Sequence, residues 1–267
     1  MYKKILTIAV LMALFFVYGI DKVSALSQVG ATASFVLGQP NLNGCATGPN
    51  GWSYEKSIGI NGTQVSVFDG KLVVPSGNEN RVLIYNSIPT QNYVSADVVV
   101  GGSTTCSRYP SWDGSELLST PLGVAYGGNN FLISEAYSNR ISVYSHGFPT
   151  SNGQIPDVVI GQPERSDSYK SANQGLTVGA NTLSLPFSMQ IVNGKLIVAD
   201  RGNNRILIYN SVPTTNNASA DIVIGQPNTT SNTVNNGGIS ASSLNAARGY
   251  ILMEPSFTFL ILEITAY

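Results

Sequence analysis

The 267-residue chain has little charge, one histidine and two cysteines. Lys and Arg number 14 against 15 Asp and Glu, and the four charged types make up 11% of the residues, where ordinary globular domains carry about 25%. A nucleic-acid binder would show a basic stripe and a disordered acidic tail would show a carboxylate run; the chain has neither. With His146 alone, catalysis by a histidine cluster is excluded, and so is a zinc site of four cysteines or of paired cysteines and histidines. No Ser/His/Asp arrangement, phosphate loop or dinucleotide fingerprint occurs. No window repeats its apolar residues every 3.6 positions, so little helix is expected. What the chain does have is a 43% apolar share, 27 glycines and 13 prolines. That is material for a core in a chain that turns often.

The N-terminus reads Met-Tyr-Lys-Lys, then an uncharged apolar run from Ile5 to Ile20, then Val23-Ser24-Ala25. A basic start, an apolar middle and small residues at the −3 and −1 positions predict a signal peptide over residues 1–25, cut after Ala25. The expected address is exported: periplasmic, cell-surface or secreted, with no membrane span after cleavage. Export permits a disulfide. The candidates are Cys45 and Cys106, which follow the repeated Gly38 and Gly101 at similar distances, and closing the loop between them would be worth roughly 4 kcal/mol in the chain-entropy model. Two buried or free thiols are the other reading.

Two markers recur down the chain at the same period. The first is a β-branched run ending in glycine: Ser34-Phe-Val-Leu-Gly-Gln-Pro40, Asp97-Val-Val-Val-Gly-Gly-Ser103, Asp157-Val-Val-Ile-Gly-Gln-Pro163 and Asp221-Ile-Val-Ile-Gly-Gln-Pro227. The second is Asn80-Arg-Val-Leu-Ile-Tyr-Asn86, Asn139-Arg-Ile-Ser-Val-Tyr-Ser145 and Asn204-Arg-Ile-Leu-Ile-Tyr-Asn210. Both return after about sixty residues, which marks a repeat architecture. Each period predicts four strands. A short first strand (65–68, 123–126, 189–192) and a second (71–74, 131–134, 195–199) flank two-residue turns at Asp69-Gly70, Gly128-Asn129 and Asn193-Gly194, whose residues tolerate positive φ. The Asn-Arg strand follows, then a Pro-Thr turn at Pro89, Pro149 or Pro213, then the strand ending in glycine. The last two strands are apolar almost throughout, as expected when both faces are covered.

Four antiparallel strands at a fixed period are the unit of a β-propeller, in which each blade covers its neighbour. Leu185-Pro186-Phe187 followed by Asn193-Gly-Lys-Leu-Ile-Val-Ala-Asp200-Arg-Gly-Asn-Asn-Arg-Ile-Leu-Ile-Tyr209 resembles the signature of NHL-repeat propellers. The resemblance covers residues 32–249 and implies an all-β protein of three full blades plus partial ones. The first two copies are looser, with Ser76 and Glu135 where the third has Asp200. The pattern stops after Gly249, so residues 250–267 read as an aberrant tail. An open or incomplete ring is expected, cut short or completed by a second chain through its open blade edges.

Arg81, Arg140 and Arg205 recur once per repeat, as do Asp97, Asp157 and Asp221. Recurrence at a fixed position favours a structural role over a phosphate-binding ring: guanidinium to loop carbonyls or a carboxylate, and aspartate to backbone amides. The long connections from each last strand to the next first strand, near 41–57, 103–118, 164–183 and 228–243, leave on one face. They carry Trp52, Tyr54, Tyr109 and Trp112, aromatic residues on loops backed by a scaffold, the composition of a binding surface; packing of each aromatic over its own blade is the other reading. Asn61, Asn217 and Asn228 sit in glycosylation-type triplets. No cofactor is expected. The sequence therefore predicts an exported, non-enzymatic binding or scaffold module for a protein or carbohydrate ligand. The alternatives are a propeller-type hydrolase or lyase with a calcium site, which the resemblance allows, and a truncated product without independent function.

Overall fold

In the computed structural model, each repeat becomes one four-stranded antiparallel sheet with its strands in chain order. The structure describes residues 33–38, 65–101, 118–165 and 170–248, and the backbone alone of 250–254 and 257–261. These residues belong to one unit, Phe35–Tyr267, apart from Ala33 and Ser34, the described end of the unit Met1–Ser34. Blade I comprises β1 (Ser66–Phe68), β2 (Lys71–Ser76), β3 (Arg81–Tyr85) and β4 (Val98–Val100). Blade II comprises β5 (Pro121–Gly127), β6 (Asn130–Glu135), β7 (Arg140–Tyr144) and β8 (Val158–Ile160). Blade III comprises β9 (Pro186–Val192), β10 (Lys195–Asp200), β11 (Arg205–Tyr209) and β12 (Ile222–Ile224). Short 3-10 turns are the only helical elements among the described residues.

The turns obey their chemistry. Asp69-Gly70, Gly128-Asn129 and Asn193-Gly194 all hold positive φ at both positions, the geometry whose twist matches the strands it joins.

The period of two along each strand explains why the blades stack. On β6, Phe131 and Ile133 face blade I, while Leu132 faces blade III. On β7, Ile141 and Val143 face blade III and Tyr144 faces blade I. Blade II is thus buried on both sides. One core joins it to Val73, Val82, Ile84, Val98 and Val100 of blade I, and the other to Leu196, Val198, Leu207 and Tyr209 of blade III. The described chain is an open run of propeller blades: all-β, three complete sheets, no closed barrel.

Two backbone features fix the spacing between blades. The glycine that ends each outer strand has positive φ: 102° at Gly101, 90° at Gly161 and 91° at Gly225. A leucine of the next repeat presses on it, so that a Cβ at Gly161 would come within 2.6 Å of Leu183 Cδ1 and one at Gly225 within 2.5 Å of Leu244 Cδ1. Next, the asparagine before each repeated arginine sits in the left-handed region, at φ 53°, 50° and 52° for Asn80, Asn139 and Asn204. Its side-chain oxygen accepts the amide of Thr120, Leu185 or Ala246, each at 2.8 Å and each belonging to the following repeat.

The segment after Gly249, read from the sequence as an aberrant tail without the repeat's Gly-Lys-Leu pattern, contains a hairpin of different sequence. The backbone of β13 (Tyr250–Glu254) pairs antiparallel with β14 (Phe257–Ile261), Tyr250 opposite Ile261. β13 lies against β9 as β9 lies against β5. The hairpin therefore stands where the first two strands of a further blade would stand, without the Asn-Gly turn that marks the earlier ones.

Candidate functional site

The three repeated arginines end up inside their blades. Arg140 opens β7, opposite Glu135 at the end of β6. Its Nε and Nη2 donate to the two carboxylate oxygens of Glu135 at 2.9 and 3.0 Å, and its Nη1 donates to the carbonyl of Arg165 at 3.0 Å. Arg205 donates through Nε to Asp200 Oδ2 at 2.7 Å. Its terminal nitrogens reach the carbonyls of Gly179 and Thr182, both at 2.9 Å, and that of Thr229. The Arg140 and Arg205 guanidiniums thus pin the long connections to their blades. Each carboxylate also takes a backbone amide where the blade begins, from Ser119 at 3.2 Å for Glu135 and from Ser184 at 2.7 Å for Asp200. Burial pushes the Asp200 carboxyl up from the usual aspartate range, against the opposing pull of Arg205, the Ser184 amide and Asn203.

Blade I solves the same problem with different residues. Ser76 stands at the position of Glu135 and Asp200, and the carboxylate comes from Glu79, three residues further on. Arg81 donates to Glu79 Oε2 through Nε at 3.0 Å and Nη2 at 2.6 Å, and Ser76 Oγ donates to the same oxygen at 2.9 Å. The pairs at these two positions are Ser76/Glu79, Glu135/Ser138 and Asp200/Asn203, always one acid and one small polar residue. Read position by position, the sequence offered only two carboxylates there. The third was visible only by asking which nearby acid Arg81 could reach.

The repeated aspartates hold a different corner. Asp97, Asp157 and Asp221 accept the backbone amides of Asn86, Ser145 and Asn210 at 2.7, 2.8 and 2.7 Å. Those amides follow the third strand of each blade, so the carboxylate ties that strand's exit to the start of the fourth.

The turns between second and third strands and the long inter-blade connections share one face, as their hydrogen bonds show. Asn139 Nδ2 donates to the Lys170 carbonyl at 2.7 Å, Asn204 Nδ2 to the Asn232 carbonyl at 2.9 Å, and Asn203 Nδ2 to Asn173 Oδ1 at 2.8 Å. Apolar side chains are exposed on this face: Tyr137 at 56%, Leu176 at 73% and Ile239 at 83%. Beside them stand two cations. Arg248 lies over the Phe187 ring, 5.9 Å from its centre. Burial, together with the Arg248 charge, holds the Arg201 guanidinium below its ordinary value, with Tyr137 pulling the other way. Arg201 Nε is buried without a hydrogen-bond partner among the described residues. Sequence reading passed over Arg201 and Arg248 because neither recurs in the other blades.

The aromatic candidates Trp52, Tyr54, Tyr109 and Trp112 lie outside the described residues, as do Cys45, Cys106, Asn61 and the signal segment 1–25. The connection that carries Tyr109 and Trp112 leaves blade I after Gly101 and reaches blade II at Leu118. His146 is exposed in the turn after β7. Asn217 Oδ1 accepts from Gln174 Nε2 at 2.6 Å, and Asn228 Oδ1 caps its own turn through the Thr230 amide at 3.0 Å. No group of three or more His, Cys, Asp or Glu side chains placed to hold a metal occurs among the described residues. No helix among them is long and apolar enough to cross a membrane.

No known family profile matches the chain, and no curated protein matches it. Among solved structures, one similar chain is the selenomethionine-substituted virginiamycin B lyase from Staphylococcus aureus, with 16% identity and a TM-score of 0.26. The match covers 54% of this chain and spans half the length of that one. A likeness this slight assigns no residue of this chain a role.

Proposed function

We propose that the protein is an exported, non-enzymatic binding or scaffold module whose loop-bearing face takes a protein or carbohydrate ligand carrying anionic groups. The observation that supports this reading most is the Arg201–Arg248 pair beside exposed Tyr137. Two cations whose charges oppose one another, one with a buried donor lacking a partner, gain from a carboxylate or sulfate brought between them. Tyr137 and the apolar Leu176 and Ile239 add the amphipathic contact area from which such surfaces draw affinity. The repeated carboxylates are spent on the repeated arginines inside the blades. Trp52, Tyr54, Tyr109 and Trp112 belong to the proposal through the connections that carry them.

The test is titration of the full chain against acidic and neutral polysaccharides and against acidic peptides, at two salt concentrations. Binding should favour the anionic probes and weaken with salt. The double variant Arg201→Gln/Arg248→Gln should bind about tenfold or more weakly, a loss of ~1.4 kcal/mol. Binding indifferent to probe charge, or unchanged in the double variant, would sink the reading.

A further inference from the structure

The turn after the second strand of each blade adjoins the first strand of the next repeat, and the two residues that meet there change character along the chain. The turn residue follows Ser76, Glu135 or Asp200 and is Gly77, Ala136 or Arg201. The strand residue stands four places after Leu118, Leu183 or Leu244 and is Leu122, Phe187 or Arg248. At the first joint a Cβ on Gly77 would lie 3.5 Å from Leu122 Cδ2, so the two positions are neighbours. The first two joints set a small residue against an apolar one, Gly77 with Leu122 and Ala136 with Phe187. The third sets one arginine against another.

Like charges at neighbouring positions destabilise a fold unless an opposite charge joins them. Burial, and after it the Arg248 charge, hold the Arg201 guanidinium below its ordinary value. Arg201 Nε is buried without a hydrogen-bond partner among the described residues, and neither arginine forms an ion pair there. The acid next to Arg201 in the chain, Asp200, is taken up by Arg205, Asn203 and the Ser184 amide. The acid that follows Arg248, Glu254, closes β13 at the opposite end from Tyr250. Guanidinium groups keep their charge in proteins, so this joint carries two positive charges beside the exposed Tyr137.

We propose that the Arg201–Arg248 joint binds a doubly charged phosphate group, as the free ion or as a monoester. The inference rests on the anion-binding reading above and narrows it. A carboxylate or a sulfate ester brings one negative charge and neutralises one arginine. A phosphate monoester brings nearly two at neutral pH, with three acceptor oxygens, enough to take donors from both guanidinium forks. Charge matching therefore selects the dianion.

The experiment is calorimetric titration of the full chain with glucose 6-phosphate, glucose 6-sulfate and inorganic phosphate, at about pH 5 and about pH 7.5. The two sugar esters share a shape and differ by one charge. Glucose 6-phosphate should bind roughly tenfold more tightly at the higher pH, because its second proton leaves near pH 6. Glucose 6-sulfate should bind weakly and equally at both, and so reports any titration of the protein's own groups, Asp200, Tyr137 and His146 included. Inorganic phosphate as tight as the sugar phosphate assigns the site to the free ion; a clear advantage for the ester assigns it to a phosphorylated ligand. The double variant Arg201→Ala/Arg248→Leu rebuilds the small-against-apolar pairing of the other joints. It should bind phosphate about tenfold or more weakly and melt no earlier than the wild type, since it removes a repulsion. An earlier melt would show that the arginines serve the fold itself, and would overturn the proposal. So would a sulfate ester that binds as tightly as the phosphate ester, or that shows the same pH dependence, although the anion-binding reading would then stand. Failure of every anionic probe, acidic polysaccharides and peptides included, would bring down both.

Discussion

At the scale of single residues, the tyrosines that end the Asn-Arg strands carry a pH dependence. Tyr85, Tyr144 and Tyr209 occupy one repeat position and all three are buried. Burial pushes the Tyr85 phenol up to about 12, and it raises Tyr144 and Tyr209 as well. In the unfolded chain a phenol loses its proton near pH 10. Between that point and the folded value, the native state holds protons that the unfolded chain has released. Stability from this source is therefore complete below about pH 10 and falls as pH rises toward the folded values. Urea midpoints should hold steady below about pH 9 and drop above about pH 10, with tyrosinate absorbance from these three residues appearing only on unfolding. Tyr85 and Tyr209 have no hydroxyl partner among the described residues, while Tyr144 donates to the Gln154 carbonyl at 3.3 Å. Tyr85→Phe and Tyr209→Phe should then be close to neutral at pH 7 and should flatten the alkaline loss. Tyr144→Phe should cost about 1 kcal/mol.

The same scale shows what the sequence could and could not disclose. Arg81, Arg140 and Arg205 stood out because they recur. Glu79 did not, because it serves Arg81 from a position where the other blades carry Ser138 and Asn203. A carboxylate that moves along the chain while its partner stays fixed disappears from any column-by-column reading.

At the scale of elements, the Asn-Arg pair divides its work. The arginine ties its own blade together, and the asparagine joins it to the next. Asn139→Ala should lose the bonds to the Leu185 amide and the Lys170 carbonyl and force a Cβ-bearing residue without a polar side chain into the left-handed region, at a cost of about 2–3 kcal/mol. Asn139→Gly keeps the backbone free and loses only the bonds, so it should recover about 1 kcal/mol of that. Thermal or urea denaturation of the two variants separates the terms; equal losses would show that the left-handed backbone costs nothing here. The strands themselves were legible, since short β-branched apolar runs and the Asn-Gly type turns are local signals. The bonds in which Asn152 and Asn216 accept the amides of Val99 and Val159 were not. Asn152 and Val99 are 53 residues apart and Asn216 and Val159 are 57 apart, and neither asparagine sits in a motif that points at its partner.

At the scale of the whole molecule, the blades differ in how many neighbours protect them. Blade II is sandwiched, with an apolar core on each side. Blade III has a full core on one side, and on the other a smaller cluster around Ile206, Leu244 and Ala247. Opening of a quasi-linear array starts where a neighbour is missing. Amide exchange followed by mass spectrometry should therefore find β6 and β7 slowest, and β12 fastest among the strands of the three blades. Uniform protection across the three blades would contradict this. The open run of blades was readable from the sixty-residue period. The β13–β14 hairpin was not, because the sequence between its strands, Pro255-Ser256, is not of the Asn-Gly type that announced the earlier hairpins.

Each arginine finds its counter-charge within its own blade, and the latching asparagines that cross to the next repeat end on main-chain amides that any amino acid but proline supplies. A blade copied and reinserted beside its parent would thus arrive with its internal charges already balanced, and its polar latches would end on atoms common to all sequences. Such a chain can lengthen by gene duplication without matched charge substitutions on both sides of each new joint.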